Sequence, residues 1–520
     1  MFSIKTPSEY ADGLLRRLTR EQKTAFLSTF LIGFFCHLFI FTNSMYNNDD
    51  IRNLYVNQDR TDLGRWFLTY TAGISSYFSL PIVNGILSLI FLSFASMVII
   101  AIFDLKKKGS IILCSGILVS FPSVACIFSY MFTADAYFIS CFLCTLAVYF
   151  VTCSKRKSAW LYGAVCLCFS VGIYQAYLTF ILLLLLLFFL LAVLQPEQYS
   201  DRDLFHLIMR FLSMLCSGLL AYYIILNVTL RIKQTALSSY QGISQSSSIG
   251  FSEIKSRILL VYKDFLHILM PGQILGFNKW MFVALFTSFI LLLTTFISLY
   301  YKNKVYKNFL RNLFLALCII ALPLCANTIY LISANVNYHL LMRHSWCLLF
   351  IAVIVMFEKA SPICPLNTKK LLEWAAFIAT FLVVWNYILL SNIAYFNMNF
   401  RYEKTYALCI KIMDRIEQSE DYDKNRPMAF IGNFSKTYKM DAVSDLLEPM
   451  TGMKGPRVFG SSSRCYLPFF QNCLGEDIEV VTPEEENALR ATAEFQEMPY
   501  FPNAGSIRVI NDVTVIKLND

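Results

Sequence analysis

The sequence predicts a polytopic α-helical membrane protein with about eleven transmembrane helices, followed by a small C-terminal extracytoplasmic α+β domain. Three observations carry this expectation. First, 57% of the 520 residues are hydrophobic and only 15% charged, with a mean hydropathy of +0.54, outside the range of soluble globular domains. Second, apolar runs close to the ~20 residues that cross a hydrocarbon core recur from Thr24 to Leu390. Third, residues 395–520 hold 14 Lys and Arg against 19 Asp and Glu, whereas the rest of the chain holds 30 against 16. This shift in charge marks a separate domain.

Residues 1–23 form a charged amphipathic segment (Glu9, Arg16, Arg17, Arg20, Glu21, Lys23) expected on the cytoplasmic side. The first apolar run after it ends in Asn47-Asn48-Asp49-Asp50 and not in a small-residue cleavage site, so it reads as a span and not as a cleaved signal. Spans are expected at 24–45, 80–103, 110–130, 133–152, 158–173, 177–194, 208–230, 281–300, 312–332, 345–358 and 371–391. The fifth is short, and the tenth begins beside Arg343 and His344.

Short cytoplasmic loops are enriched in Lys and Arg. The N-terminal segment, Lys106-Lys107-Lys108, Lys155-Arg156-Lys157, the stretch from Lys302 to Arg311, and Lys369-Lys370 all fall on one side when eleven spans are counted. The membrane domain is therefore expected over 24–394, with the N-terminus inside and residues 395–520 outside. In that last segment Arg426–Gly432, Ser506–Ile510 and Val513–Leu518 read as strands, and Glu403 to Glu420 as a helix.

Most of the 16 cysteines, such as Cys36, Cys114, Cys141 and Cys144, lie inside apolar runs and read as small hydrophobes. Cys465 and Cys473 are close enough in sequence for an extracytoplasmic disulfide. There is no zinc-type Cys/His spacing, P-loop, GxSxG elbow, HExxH or kinase signature. Nothing points to a nucleic-acid partner, and the oligomeric state stays open.

The acidic Asn47-Asn48-Asp49-Asp50 is the most informative motif, with Arg52, Asp59, Arg60, Asp62 and Gly64-Arg65-Trp66 close behind it. Its plainest reading is a solvated loop with an Asx turn. Against that, paired carboxylates raise one member's pKa, nearby cations can hold phosphate, and an aromatic can stack on a sugar face.

Asp135, within Met131-Phe-Thr-Ala-Asp-Ala-Tyr137, either caps a helix or faces a cavity or partner. In Gly172-Ile-Tyr-Gln-Ala-Tyr177, Tyr174 and Gln175 either bind sugar hydroxyls or belong to an interfacial aromatic belt. In Asn335-Val-Asn-Tyr-His339 and the following Arg343-His344, the arginine either grips a lipid phosphate bidentately or snorkels to the headgroups. Between them, Arg231–Trp280 combines a Ser-rich piece with an amphipathic stretch bearing Arg257, Lys263 and His267, suited to lying on the membrane surface.

Taken in order, the acidic cluster, Gly64-Arg65-Trp66, Thr133-x-Asp135-x-Tyr137, Tyr174-Gln175 and the closing Met498-Pro-Tyr-Phe-Pro-x-x-Gly-Ser506 resemble the type II O-antigen glucosyltransferase (Gtr) family over nearly the whole chain. That family is similar in plan to the GT-C glycosyltransferases. The resemblance implies a polyprenyl-phosphate sugar, glucose by preference, as donor and a cell-surface glycan as acceptor on the outer face. It also implies a catalytic base at Asp49 or Asp50.

Arg65, Arg343 and His344 would then stabilise the leaving phosphate, while Trp66, Asp135, Tyr174 and Gln175 would orient the sugars. No cofactor is implied. A divalent metal between adjacent carboxylates is conceivable but not favoured, since a monophosphate leaves with modest charge. A flippase or polymerase of lipid-linked polysaccharide shares several of these features. A carrier, though, ordinarily shows repeats and mid-membrane polar residues, neither of which is evident here.

Overall fold

The computed structural model describes residues 6–239, 251–268, 278–332, 336–360, 366–432, 447, 450–453, 458 and 463–518. Asn335 and the Ser-rich piece from 240 to 250 lie outside these. The membrane part is a bundle of helices in chain order: α1 Pro7–Arg17, α2 Arg20–Thr42, α3 Asn48–Arg52, α4 Leu68–Ala72, α5 Pro81–Phe103, α6 Lys108–Ser120, α7 Pro122–Phe128, α8 Met131–Thr152, α9 Ala159–Ile173 and α10 Leu178–Val193. These are followed by α11 Asp201–Ile232, α12 Phe251–Ile268, α13 Lys279–Lys302, α14 Phe309–Ala326, α15 Ile329–Ile332, α16 Cys347–Ala360 and α17 Leu366–Glu417.

Among the described residues, eight helices are long and apolar enough to cross a membrane, or nine if the bent pair α6–α7 is one span. The 44° bend in that pair falls at Phe121-Pro122. There the proline removes a backbone donor and pushes the preceding residue to extended geometry (φ −55°, ψ 135°). The expected fifth and tenth spans fall on α9 and α16, helices of 15 and 14 residues. At 1.5 Å per residue each is only about 22 Å long, shorter than a ~30 Å hydrocarbon core. Leu27, Leu31, Phe35, Phe286, Phe289 and Ile319 leave apolar side chains on the bundle's outside, as lipid contact requires.

The basic loops gather at one end. Arg311 pairs with Asp201 at 2.8 Å and Lys107 with Glu373. Glu358 accepts the Lys106 N–H at 2.6 Å, and Arg210 donates to the Ser154 carbonyl at 3.1 Å.

The last span and the expected tail helix are one element. α17 runs 52 residues without Gly or Pro to break it, so the boundary expected at 394/395 falls inside a continuous helix. Beyond it, β1 Met428–Ile431, β2 Ile507–Ile510 and β3 Val513–Lys517 form a sheet in the order β1-β3-β2. β1 runs parallel to β3 and β2 antiparallel to it. The β2–β3 hairpin turns on Asn511 and Asp512, both at positive φ (49° and 60°), as a two-residue turn that follows strand twist requires. Cys465 and Cys473 both carry free thiols.

Candidate functional site

The acidic motif folds as the short helix α3, capped by Asn47. The Asn47 side-chain oxygen accepts the N–H groups of Asp49 (2.9 Å) and Asp50 (2.8 Å), so the Asx turn is present. The Asn47 amide donates in turn to the Ser129 carbonyl, tying α3 to the turn that precedes α8. The two carboxylates then part company: Asp49 is exposed, while Asp50 is only 2% exposed.

Ser79 Oγ donates to Asp50 at 3.2 Å, and the Phe132 and Met131 backbone lies against it. Burial pushes the Asp50 carboxyl up to about 7, with the Asp49 charge acting in the same direction and the hydrogen bonds from Ser79 and Phe132 acting against it. One acid in water beside one held near neutrality is an arrangement that separates acid–base roles.

Asp135 is fully buried. As the fifth residue of α8, whose N-cap is Tyr130, it does not cap the helix. One of its oxygens accepts the Ala136 N–H at 2.9 Å. The other lacks a hydrogen-bond partner, although Ser75 and Asn84 lie beside the carboxylate. The Asn84 amide is committed to Ser75 Oγ and the Met131 carbonyl, each at 3.2 Å.

A third group joins two motifs more than 100 residues apart. Gly64 adopts φ +76°, and a Cβ there would lie 2.6 Å from the Gln175 amide and 2.7 Å from the Tyr222 hydroxyl, so only glycine fits. Gln175 donates to the Leu63 carbonyl at 2.6 Å, Tyr222 to the Gly64 carbonyl at 3.0 Å, and the Phe67 N–H to the Gly172 carbonyl at 2.9 Å.

The Arg65 guanidinium lies 4.7 Å over the Tyr174 ring and donates to the Tyr137 hydroxyl at 3.2 Å. Tyr137 and Tyr174 are stacked at 4.3 Å. Trp66, expected to stack on a sugar, is instead 7% exposed and packed on Phe67, Phe169 and Gly172. Its faces are covered by protein. Gln175, expected to meet sugar hydroxyls, uses its amide to hold the 64–66 turn.

Arg343 is also engaged. Its guanidinium forms a bidentate pair with Asp264 (2.6 and 3.0 Å) and sits 4.0 Å over the Tyr338 ring. The open phosphate grip expected there is occupied by a carboxylate, which also accepts from Asn327 (3.0 Å) and Tyr330 (3.2 Å). His344 is buried, 3.2 Å from the Leu118 carbonyl and 3.4 Å from the Tyr177 hydroxyl.

Asp264 was not singled out from sequence. Helical periodicity could have found it, because Arg257 and Val261, both on the buried face of α12, lie seven and three residues before it.

The first two turns of α8 connect these groups: Phe132 meets Asp50, Asp135 meets Ser75 and Asn84, and Tyr137 meets Arg65. Each arginine lies on tyrosine, Arg65 over Tyr174 in its stack with Tyr137 and Arg343 over Tyr338. Buried polar atoms without partners at this end include Asp135 Oδ2, the Tyr174 hydroxyl and Trp66 Nε1. Buried polar groups are normally satisfied, so these are atoms that a polar ligand could satisfy.

Among the described residues, no three His, Cys, Asp or Glu side chains gather as a metal-holding group. A cavity of about 190 Å³, lined by Lys107, Ser110, Val353 and Glu373, lies at the opposite, basic end.

Neither a curated protein nor a solved structure matches the chain. The family model described as glucosyl transferase GtrII matches residues 38–357, a stretch that spans more than half of the chain and includes α3, the Arg65 group, Asp135 and the Arg343–Asp264 pair. The chain therefore belongs to the GtrII glucosyl transferase family.

Proposed function

We propose that this glycosyltransferase works at the outer face of the cell membrane, moving glucose from a polyprenyl-phosphate carrier to a surface glycan such as O-antigen, with a GT-C-like plan. The gathering of basic loops at one end of the bundle supports a cytoplasmic assignment for that end and, with it, an outward-facing acidic end carrying the C-terminal domain. In this reading the acceptor hydroxyl oxygen attacks the anomeric carbon, the bond from that carbon to the phosphate oxygen breaks, and polyprenyl phosphate leaves. The proton passes to Asp50, and a single displacement inverts the anomeric centre.

The observation that carries the reading is the buried Asp50 carboxyl, raised to about 7. A base is most effective when its pKa lies near the working pH. Arg65, held over Tyr174 and donating to Tyr137, supplies positive charge for the leaving phosphate. Asp135 and the Tyr174 hydroxyl, both buried with an unpartnered oxygen, are suited to sugar hydroxyls.

The test uses membranes holding wild-type, Asp50→Asn or Asp49→Asn protein, labelled polyprenyl-phosphate glucose and a lipid-linked glycan, with label followed into the glycan. Asp50→Asn should lower the transfer rate by about 10²–10⁴-fold, the range for loss of a general base, and Asp49→Asn by much less. Transfer at the wild-type rate by Asp50→Asn would overturn the assignment.

A further inference from the structure

We propose that the C-terminal domain is a positioning element of the transfer site, holding the acidic helix α3 against the bundle. The inference rests on the reading of Asp50 as the base, and the observations behind it come from both sides of α3.

On one side, Ile51, next to Asp50, is 2% exposed and belongs to the core of the C-terminal domain with Leu408, Ile412, Phe469 and Phe470. Asn472 donates to the Ile51 carbonyl at 3.1 Å and accepts from the Tyr55 hydroxyl at 2.7 Å. Arg52 reaches Cys465 Sγ at 3.2 Å. Tyr46, just ahead of the cap, meets the Tyr402 ring edge-on at 5.8 Å.

On the other side, the turn at 450–453 enters the bundle. Leu447, Met450 and Met453 are buried in the bundle's own core. Ser129 Oγ donates to the Thr451 carbonyl at 3.2 Å, Arg401 to the Gly452 carbonyl at 2.9 Å and Asn397 to the Met453 carbonyl at 3.3 Å. Gly452 has φ +78°, and a Cβ on it would lie 2.3 Å from Ser129 Oγ and 3.0 Å from the Asn47 amide, the group that caps Asp49 and Asp50.

A domain that only recognised the acceptor would have no need to share its core with the helix that carries the base. This one fixes α3 from below through Ile51 and Asn472, and fixes its cap through the Gly452 turn. The environment that raises the Asp50 carboxyl therefore depends on residues more than 390 positions later in the chain.

The experiment compares full-length wild type, Asn472→Ala, Gly452→Ala and the exposed control Glu494→Gln. Two readouts are taken: transfer kinetics from polyprenyl-phosphate glucose across pH, and amide hydrogen exchange in detergent. For Asn472→Ala and Gly452→Ala, kcat should fall about tenfold to a hundredfold, as small misplacements of reacting groups do. The acceptor KM should stay within about twofold while the pH limb near 7 moves. Exchange across residues 47–55 should rise at least tenfold without a rise in α5 or α8, which excludes general unfolding.

Glu494→Gln should match wild type. A raised acceptor KM with kcat and the pH limb unchanged would make the domain an acceptor-binding module and overturn the inference, as would unchanged exchange across 47–55 in both variants. If wild type moves no label, the transfer reading fails, and the exchange data decide separately whether the domain holds α3.

Discussion

Asp49 and Asp50 are adjacent in sequence but meet different solvents, and the difference has a sign that pH can read. The folded-state pKa of Asp50, about 7, exceeds the ordinary carboxylate value near 3.9. Below pH ~4 the residue is protonated in folded and unfolded chains alike and contributes nothing to pH-dependent stability. Between about 4 and 7 only the folded form keeps its proton, so stability falls as pH rises through that window and levels off above it. Catalysis by the carboxylate runs the other way. The rate should rise with pH at low pH and reach a plateau just above 7, and Asp50→Asn should abolish that limb along with most of the rate. A pH-independent rate between 5 and 8 in wild type would contradict the role. The sequence made the acidic pair legible as a candidate. Which member would be buried was not legible, because Ser79 and Phe132, 29 and 82 residues further on, do the burying.

Arg343 and Asp264 tie α12 to the segment that leads into α16. Asp264 ends as a carboxylate with four donors, two of them on Arg343. Removing one partner of a buried pair strands the other, a loss of about 3–5 kcal/mol, while replacing both with apolar residues is often close to neutral. Asp264→Asn should therefore lower the thermal stability of the detergent-purified protein clearly, and the double variant Asp264→Leu, Arg343→Met should recover most of it. If Arg343 also serves the leaving phosphate, the double variant should stay inactive despite its recovered stability; activity that returns with stability would leave the pair a purely structural brace. At this scale the order of the motifs was legible but their contacts were not. Gly64-Arg65-Trp66 and Gly172–Gln175 each read as a binding group, whereas their side chains largely bind one another, with Gln175 holding Leu63 and Trp66 lying on Gly172. Local pattern reports which residues are unusual, and only the tertiary packing shows which of them face an open site.

The span pattern was the most legible feature of the whole molecule, because a helix that crosses lipid needs a run of roughly 20 apolar residues. The shortness of α9 and α16 was itself legible, since the apolar runs 158–173 and 345–358 hold only 16 and 14 residues. One feature escaped it. The continuity of α17 was hidden because the change in composition near 395 resembles a boundary. At about 78 Å for 52 residues, α17 reaches from the Lys107–Glu373 pair at the basic end to the C-terminal core at Leu408, Ile412 and Ile416. On the way it is fastened to α2 by Tyr395, whose hydroxyl lies 2.7 Å from His37 Nδ1, and by Asn392, which donates to the Cys36 carbonyl at 3.1 Å. One helix thus carries both ends of the molecule, and the side of the membrane each end faces can be read from two single cysteines. Glu420→Cys, exposed just beyond α17, should react with a membrane-impermeant maleimide on intact cells above the wild-type background. Arg156→Cys, exposed in the loop between α8 and α9, should react only after permeabilisation. The reverse pattern would put the basic loops and the acidic helix on the opposite faces, and an outward-working transferase could not then be built from Asp50.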